Sequence, residues 1–272
     1  MPLSNLQRKI LRLLASHRDP ESHIAGSAFL VRTGARFSAD IDIFHDREDR
    51  VLQAAEADFA ALQAAGLDVT WQRREPLFYQ ALVKDADATT RLEWVVDSDF
   101  RFFPAVADPD FGYVLHPIDL ATNKIMAAAG RRQPRDIVDL VAIHTEILPL
   151  GAVAWAAVGK SLGFTPEGLI NEVRRLARYR QDDFDRIASD PPVDAAAIMR
   201  QFRESLEEAD AFVRQMPTDK VGLVFLQDGK PAQPDPDHLD RYLTHAGARR
   251  GHWPSTPDIT AAMLERCRRR GV

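Results

Sequence analysis

Cysteine, long apolar runs and excess positive charge are all scarce in this sequence of 272 residues. The single cysteine, Cys267, excludes an internal disulfide and a thiolate metal cluster. The longest apolar stretches, such as residues 151–158, are far shorter than the roughly 18 residues that a membrane span needs. No basic segment followed by an apolar one opens the chain. We therefore expect a soluble, cytoplasmic protein that does not contact a membrane.

The charge balance excludes one class of protein as well. The 35 Lys+Arg and 40 Asp+Glu residues give a formal net charge of −5, which argues against a protein that coats nucleic acid through bulk charge. Only six of the basic residues are lysines, so the basic surface is built from arginine and each lysine is notable. With 45% hydrophobic residues, the chain is able to form one large domain or two modest ones.

The first hundred residues alternate between helix and strand patterns. Residues 37–44 predict a half-buried strand, with Asp40 and Asp42 on one side and Ile41 and Ile43 on the other. The other patterns predict a helix over 4–17, a short strand over 23–26, a turn, an apolar segment over 28–32, a helix over 48–65, and strands over 67–73, 77–84 and 89–97.

From residue 117 onward the pattern becomes helical, and several of the helices begin with proline in the first turn. The expected helices cover 117–129, 134–147, 153–162, 166–178 and 194–215, followed by a lone strand over 221–227, a proline-rich connector over 230–237 and two short C-terminal helices. Proline and glycine interrupt the patterns near residues 100–116. We therefore expect an N-terminal α/β domain over 1–112 and a helical domain over 113–272.

The stretch from Ile24 to Phe44 carries the clearest chemical signal. A Gly26-Ser27 turn offers backbone N–H groups and a hydroxyl with no bulky side chain in the way, which suits a phosphate group. Asp40 and Asp42 project in parallel from one strand face, close enough to share hard cations such as Mg²⁺. A D-x-D pair alone also occurs in dehalogenase-type phosphatases and in glycosyltransferases. Those families lack a Gly-Ser turn twelve residues earlier, so the combination favours nucleotide chemistry.

These motifs resemble the polymerase-β-like nucleotidyltransferase superfamily. The segment Arg36-Phe37-Ser38-Ala39-Asp40-Ile41-Asp42 and the segment PIDLATNKIMAAAGRRQPRDIVDL at 117–140 are similar to the AbiEii/AbiGii toxin branch in particular. The resemblance implies an α+β fold, in which an N-terminal nucleotidyltransferase core with a mixed sheet precedes a C-terminal helical domain that completes the active-site cleft. It also implies Mg²⁺ as the cofactor, as a two-metal site, with Mn²⁺ as a second suitable metal.

The resemblance assigns roles to residues of this chain. It implies that Asp40 and Asp42 are catalytic metal ligands and that Lys124 and Asp136 are catalytic, with Lys124 also on the triphosphate. The implied nucleotide-binding residues are Gly26, Ser27, Arg36, Ser38 and Lys124. The residues around Lys124 on its helix are apolar, an unusual setting for a surface lysine. For Asp136 the alternative is an exposed salt-bridge ladder, in which Arg132 and Arg135 pair with the aspartates four residues later.

The resemblance also implies a third carboxylate on a later strand, as a metal ligand or as the general base that deprotonates the acceptor hydroxyl. Glu93 lies in the middle of the predicted strand over 89–97, where packing within a sheet disfavours an acidic side chain that has no specific role. Asp97, on the same strand face but at the strand end, is the alternative.

The resemblance implies a magnesium-dependent transfer of a nucleoside monophosphate from an NTP to an acceptor hydroxyl. It further implies an RNA acceptor, such as a tRNA 3′ end, and the toxin role in a bacterial toxin-antitoxin or phage-defence pair with a cognate antitoxin protein. Two alternatives stay open. One is a small-molecule nucleotidyltransferase of the antibiotic-resistance type, and the other is a nucleotide-binding or partner-binding protein with a degenerate site.

Overall fold

A computed structural model of the chain describes residues 3–26, 36–161 and 163–254. The fold is α+β, which confirms the expected class: a mixed sheet in the first half packs against a helical second half. Three parts of the sequence analysis, the Ser27 hydroxyl, the segment over 28–32 and Cys267, lie outside the described residues. Among the described residues, no single helix is long and apolar enough to cross a bilayer, and only the bent pair Pro134–Glu146 and Leu150–Lys160 reaches those limits jointly.

The sheet has seven strands in the order β3-β4-β5-β2-β1-β8-β7. Their bounds are β1 Ser22–Ala25, β2 Asp40–His45, β3 Asp68–Glu75, β4 Phe78–Asp85, β5 Ala88–Val96, β7 Val106–Asp108 and β8 Gly112–Val114. Strand β2 lies in the centre, antiparallel to β1 and parallel to β5, and β8 runs parallel to β1. The mixed sheet therefore places the D-x-D strand between the buried strand β1 and the half-buried strand β5.

The alternation of β2 divides the sheet into two unlike faces. Ile41 and Ile43 are buried on one face, under α1 (Asn5–Leu14) and α2 (Glu48–Ala64). On α2 the buried Asp58 accepts hydrogen bonds from the Trp94 indole N–H and from Arg18, so both oxygens of its carboxylate have partners. The opposite face carries the acidic side chains and is covered by the helical half.

The helical half is built around three long helices with proline at their first turn or a capping aspartate. The α-helices are α3 Pro117–Gly130, α4 Pro134–Glu146, α5 Leu150–Ala157, α6 Pro166–Leu176, α7 Gln181–Phe184 and α8 Ala195–Gln215. Helix α5 is buried along its whole length, and α3 packs against α4, α5 and α6. This arrangement holds α3 rigidly over the sheet.

The end of the described chain is not helical in the way the sequence suggests. A 3₁₀ helix over Pro236–Arg241 is followed by strands β11 (Leu243–His245) and β12 (Ala248–Arg249). Strand β11 pairs with β9 (Val224–Gln227), which β10 (Lys230–Pro231) flanks, and β12 pairs with β6 (Phe100–Arg101). The sequence analysis did not predict β10, β11 or β12, because their partners are distant in sequence and their local patterns are too short to show a period. The part of the predicted C-terminal helices that falls on residues 255–272 lies outside the described residues.

The segment between the two halves also forms strands. Strands β6, β7 and β8 occupy residues 100–114, where the sequence shows only proline and glycine interruptions. Strand β8 belongs to the main sheet and spans residue 112, the point at which the sequence analysis divides the chain. The division into 1–112 and 113–272 stays a prediction.

Candidate active site

One face of the sheet gathers the acidic residues that the sequence singles out. Asp40 and Asp42 lie two residues apart on β2, and Glu93 on β5 is the register partner of Asp42. Opposite residues on paired strands project to the same face. The three carboxylates therefore point toward α3, and the space between sheet and helix is a cleft of about 490 Å³ that Lys124 also lines.

Position 26, the last residue before the undescribed segment, requires a glycine. Gly26 follows β1 with φ +74°, and a Cβ at this position would lie 2.0 Å from Oδ2 of Asp42. Only glycine accepts both the left-handed backbone and this close approach. The chain thus brings the backbone of the turn directly against the Asp42 carboxylate.

The Asp42 carboxyl group is electrostatically strained. Burial first, and then the carboxylates of Asp40 and Glu93, raise its pKa to about 6, although Lys124 and Arg135 act in the opposite direction. A cation between these carboxylates would remove the repulsion. The raised pKa therefore indicates a site built for positive charge.

Asp40 is held by arginine and by its own strand. Nη2 of Arg91 lies 3.2 Å from Oδ2 of Asp40, and Nη1 of Arg135 lies 4.0 Å from Oδ1. The hydroxyl of Ser38 donates a hydrogen bond of 2.8 Å to the Asp40 carbonyl oxygen, which fixes the start of β2. The contact of Ser38 in this structure is therefore with the backbone of the D-x-D strand.

Glu93 has a hydrogen-bond partner of its own. Nε2 of Gln80 on β4 donates to Oε1 of Glu93 over 2.6 Å. Within residues 3–26, 36–161 and 163–254, no three His, Cys, Asp or Glu side chains converge as a ready-made metal site. Mg²⁺ is commonly held by one or two carboxylates together with substrate phosphates rather than by a complete protein cage. The all-oxygen donor set and the raised pKa of Asp42 fit that mode.

Lys124 stands on α3 between two aspartates of α4. Its Nζ lies 3.3 Å from Oδ1 of Asp136 and 2.8 Å from Oδ2 of Asp139, and the lysine is 9% exposed. Arg131 binds Asp136 through two hydrogen bonds of 2.9 and 3.0 Å. Arg36 binds Asp139 through two hydrogen bonds of 3.0 Å, and both of these side chains are buried.

This network of Lys124, Asp136, Asp139, Arg36 and Arg131 fixes the ammonium group at the cleft wall. Burial alone raises the pKa of Asp136, but the hydrogen bond from Arg131 and the positive charge of Lys124 outweigh it and hold the pKa below its usual range. Asp136 thus stays ionised beside the lysine.

Known structures show the same fold. The chain superposes on MenT4, a nucleotidyltransferase toxin from Mycobacterium tuberculosis H37Rv, with a TM-score of 0.56 and 20% identity over 79% of this chain and 83% of that chain. The fold is that of a nucleotidyltransferase. A putative nucleotidyltransferase from H. pylori (TM-score 0.47, 16% identity, 77% and 94% covered) and JHP933 from Helicobacter pylori (0.46, 15%, 79% and 96%) are also similar. No family model and no curated protein matches the chain.

On this nucleotidyltransferase fold, the structure brings most of the sequence-predicted site residues into one place. Gly26, Asp40, Asp42, Glu93 and Lys124 line the cleft itself. Asp136 contacts Lys124 directly, and Arg36 is joined to Lys124 through Asp139. Asp97 lies outside the cleft and lines a neighbouring cavity instead, so the structure places Glu93 and not Asp97 beside the D-x-D pair.

The sequence analysis missed several residues at this site. Asp139, which contacts Lys124 more closely than Asp136 does, has only its position three residues after Asp136 as a signal. The exposed ladder considered as an alternative does not form, because Arg132 instead donates to the backbone carbonyl of Arg178 and Arg135 turns toward Asp40. The cleft arginines not assigned from sequence are Arg91 and Arg135.

Proposed function

We propose that this protein is a magnesium-dependent nucleotidyltransferase that moves a nucleoside monophosphate from an NTP to an acceptor hydroxyl. The observation that carries the proposal is the placement of Asp40, Asp42 and Glu93 on one sheet face and in one cleft, with Lys124 across the cleft and the Gly26 backbone against Asp42. The carboxylates suit the binding of a metal ion, and the fixed ammonium of Lys124 and the Gly26 backbone suit the binding of a triphosphate.

In the proposed reaction one bond to phosphorus forms and one breaks. The acceptor oxygen forms a bond to the α-phosphorus, the bond from that phosphorus to the bridging oxygen breaks, and pyrophosphate leaves. Mg²⁺, held by Asp40 and Asp42, would neutralise charge that develops on the phosphate oxygens. Glu93 completes the carboxylate set as a ligand, or accepts the proton of the acceptor hydroxyl as the base.

The cationic side chains have a separate task. Lys124 is positioned at the cleft wall by Asp136 and Asp139, so its ammonium group reaches a triphosphate without losing further side-chain freedom. Arg91, Arg131 and Arg135 line the same cleft and add positive charge around it. These groups favour the binding of a polyanionic nucleotide and the departure of pyrophosphate.

We further propose that the acceptor is an RNA, such as the 3′ end of a tRNA, and that the protein is the toxin of a toxin-antitoxin pair with a cognate antitoxin. The support is the sequence similarity of residues 36–42 and 117–140 to the AbiEii/AbiGii branch, together with the fold shared with the toxin MenT4. The cleft arginines suit an RNA backbone as well as a nucleotide.

The test is a labelling assay on the purified protein. It is incubated with Mg²⁺, each α-³²P-labelled NTP in turn and total bacterial tRNA. The variants are the double variant Asp40→Asn, Asp42→Asn and, as a matched control, Asp68→Asn, which removes an exposed aspartate from the same sheet. We expect labelled RNA from the wild type and from Asp68→Asn, and none from the double variant.

Other outcomes point to other functions. Label on a small molecule such as an aminoglycoside, with none on RNA, would replace the RNA acceptor by an antibiotic. NTP binding without any transfer would favour the degenerate binding protein. Equal labelling by the double variant would overturn the catalytic assignment of Asp40 and Asp42.

A further inference from the structure

A second cavity, of about 350 Å³, adjoins the catalytic cleft. It lies between the same sheet face and α3, and it shares the side chains of Phe44 and Asn123 with the cleft. Phe44 is two residues beyond Asp42 on β2, a distance of about 6.6 Å along the strand. The cavity therefore begins roughly one sugar ring away from the carboxylates, and its volume lies at the lower end of the about 300–1,000 Å³ typical of ligand pockets.

A hydrogen-bond acceptor, Asp97, and a hydrogen-bond donor, Lys160, both line this cavity. Within the described part of the chain no cationic side chain forms an ion pair with Asp97, although Lys160 acts on it at longer range. Nζ of Lys160 lies 2.7 Å from Oδ1 of Asp119 and donates a hydrogen bond of 2.9 Å to Oδ1 of Asn123. One of its three N–H donors is therefore left for a ligand. The cavity thus offers a carboxylate acceptor beside an ammonium donor.

Two residues of the cavity lining each have a buried polar atom without a partner. Nδ1 of His23 and Nε of Arg101 make no hydrogen bond, and these residues are only 2% and 3% exposed. Burial lowers the pKa of His23 to about 3, so its ring is neutral and one of its nitrogens is free to accept. Buried polar atoms without partners are uncommon in proteins, and they mark a place where a ligand or water supplies the missing bond.

The walls of the cavity are apolar and partly aromatic. Phe44 and Phe100 lie on the strand side, and Leu115 and Met126 complete the lining. Flat apolar walls with a few convergent polar groups at one end fit a heteroaromatic ring better than a sugar or a phosphate.

Resting on the proposed function, we infer that this cavity binds the base of the incoming nucleotide and that Asp97 and Lys160 select a base that presents an N–H donor beside a carbonyl oxygen. Asp97 accepts the ring N–H and Lys160 donates to the carbonyl. Guanine and uracil present this edge, whereas adenine and cytosine present an amino group beside an unprotonated ring nitrogen.

The test is calorimetric binding of each NTP to the full-length protein with Mg²⁺ and without acceptor. We expect GTP or UTP to bind about tenfold or more tightly than ATP and CTP, because a mismatched edge leaves buried groups unpaired. Asp97→Asn removes the obligate acceptor and is expected to abolish this preference. Asp85→Asn, an exposed aspartate paired with Lys9, is the matched control and is expected to keep it.

A second variant guards against a folding defect. Asn123→Ala removes an amide from the cavity wall and frees the Lys160 ammonium to move, so it is expected to weaken binding of the preferred NTP while thermal unfolding shows an intact fold. Binding of all four NTPs with equal affinity, preference for ATP or CTP, or an unchanged preference in Asp97→Asn would overturn the inference and leave only ordered water in the cavity. No NTP binding at all would instead overturn the proposed function.

Discussion

At the scale of single residues, Gly26 and Asp42 define the tightest part of the site. An alanine at position 26 would place its Cβ 2.0 Å from the Asp42 carboxylate in a backbone with φ +74°. We expect Gly26→Ala to lower nucleotidyl transfer by about 100-fold, because misplacing a reacting group by about 1 Å has an effect of that order. Steady-state transfer of label from NTP to acceptor measures it.

Gly66 provides the matched control for this substitution. It also has a left-handed backbone, with φ +80°, but no atom lies within 4 Å of a Cβ built there. Gly66→Ala is expected to cost about 1 kcal/mol of stability and to leave transfer unchanged. A similar loss of activity in both variants would show that backbone strain, and not contact with Asp42, causes the effect.

Asp42 also makes stability depend on pH. Its folded pKa of about 6 lies above the ordinary aspartate value of 3.8, so its contribution is fully present below pH 3.8 and is lost as the pH rises through 6. We expect wild type to lose about 2 kcal/mol relative to Asp42→Asn between pH 4.5 and 7.5, the part above pH 4.5 of a total of about 3 kcal/mol at about 1.4 kcal/mol per pKa unit. Urea unfolding at each pH measures the difference.

Magnesium provides an independent check on the same group. Metal ions bind ionised carboxylates, so added Mg²⁺ is expected to raise the melting temperature of the wild type more at pH 7.5 than at pH 5. Asp42→Asn should show a smaller rise at pH 7.5. Equal responses of the two proteins would argue against Asp42 as a metal ligand.

At the scale of elements, the pair α3 and α4 positions the lysine. Asp139 joins Lys124 on α3 to Arg36 just before β2, and all three side chains are at least nine-tenths buried. Asp139→Ala leaves two buried cations short of an acceptor, so we expect a loss of about 3–5 kcal/mol in the free energy of unfolding. Glu172→Ala, which breaks the exposed pair with Arg175, is expected to cause no measurable change.

The sequence predicts strand β2 and helix α3 well because each carries its own period. Alternation places Asp40 and Asp42 opposite Ile41 and Ile43, and the apolar neighbours of Lys124 indicate burial before any contact is known. The hydrogen bonds of Asp139 and the side-chain partners of Arg135 depend on how elements far apart in sequence come together. No local pattern reports such contacts, and the short strands β6 to β8 were missed for the same reason.

At the scale of the whole molecule, one continuous hydrophobic core spans both halves. Asp119 on α3 accepts the backbone N–H groups of Phe102 and Phe103, at 2.8 and 3.0 Å, and the His245 ring contacts the Phe102 carbonyl at 2.7 Å. Strand β12 pairs with β6 across the same junction. The segment between the expected domains is therefore held both by α3 and by the strands β11 and β12 near the end of the described chain.

These connections predict how the protein unfolds. Since the halves share a core and a sheet, we expect a single cooperative transition, with tryptophan fluorescence and far-ultraviolet circular dichroism giving coincident curves in urea. The fragment 1–112 ends inside β8 and lacks α3, which forms the opposite wall of the acidic cleft, so it is expected not to fold by itself. Two separated transitions, or a fragment with a cooperative transition of its own, would instead support two independent domains divided near residue 112.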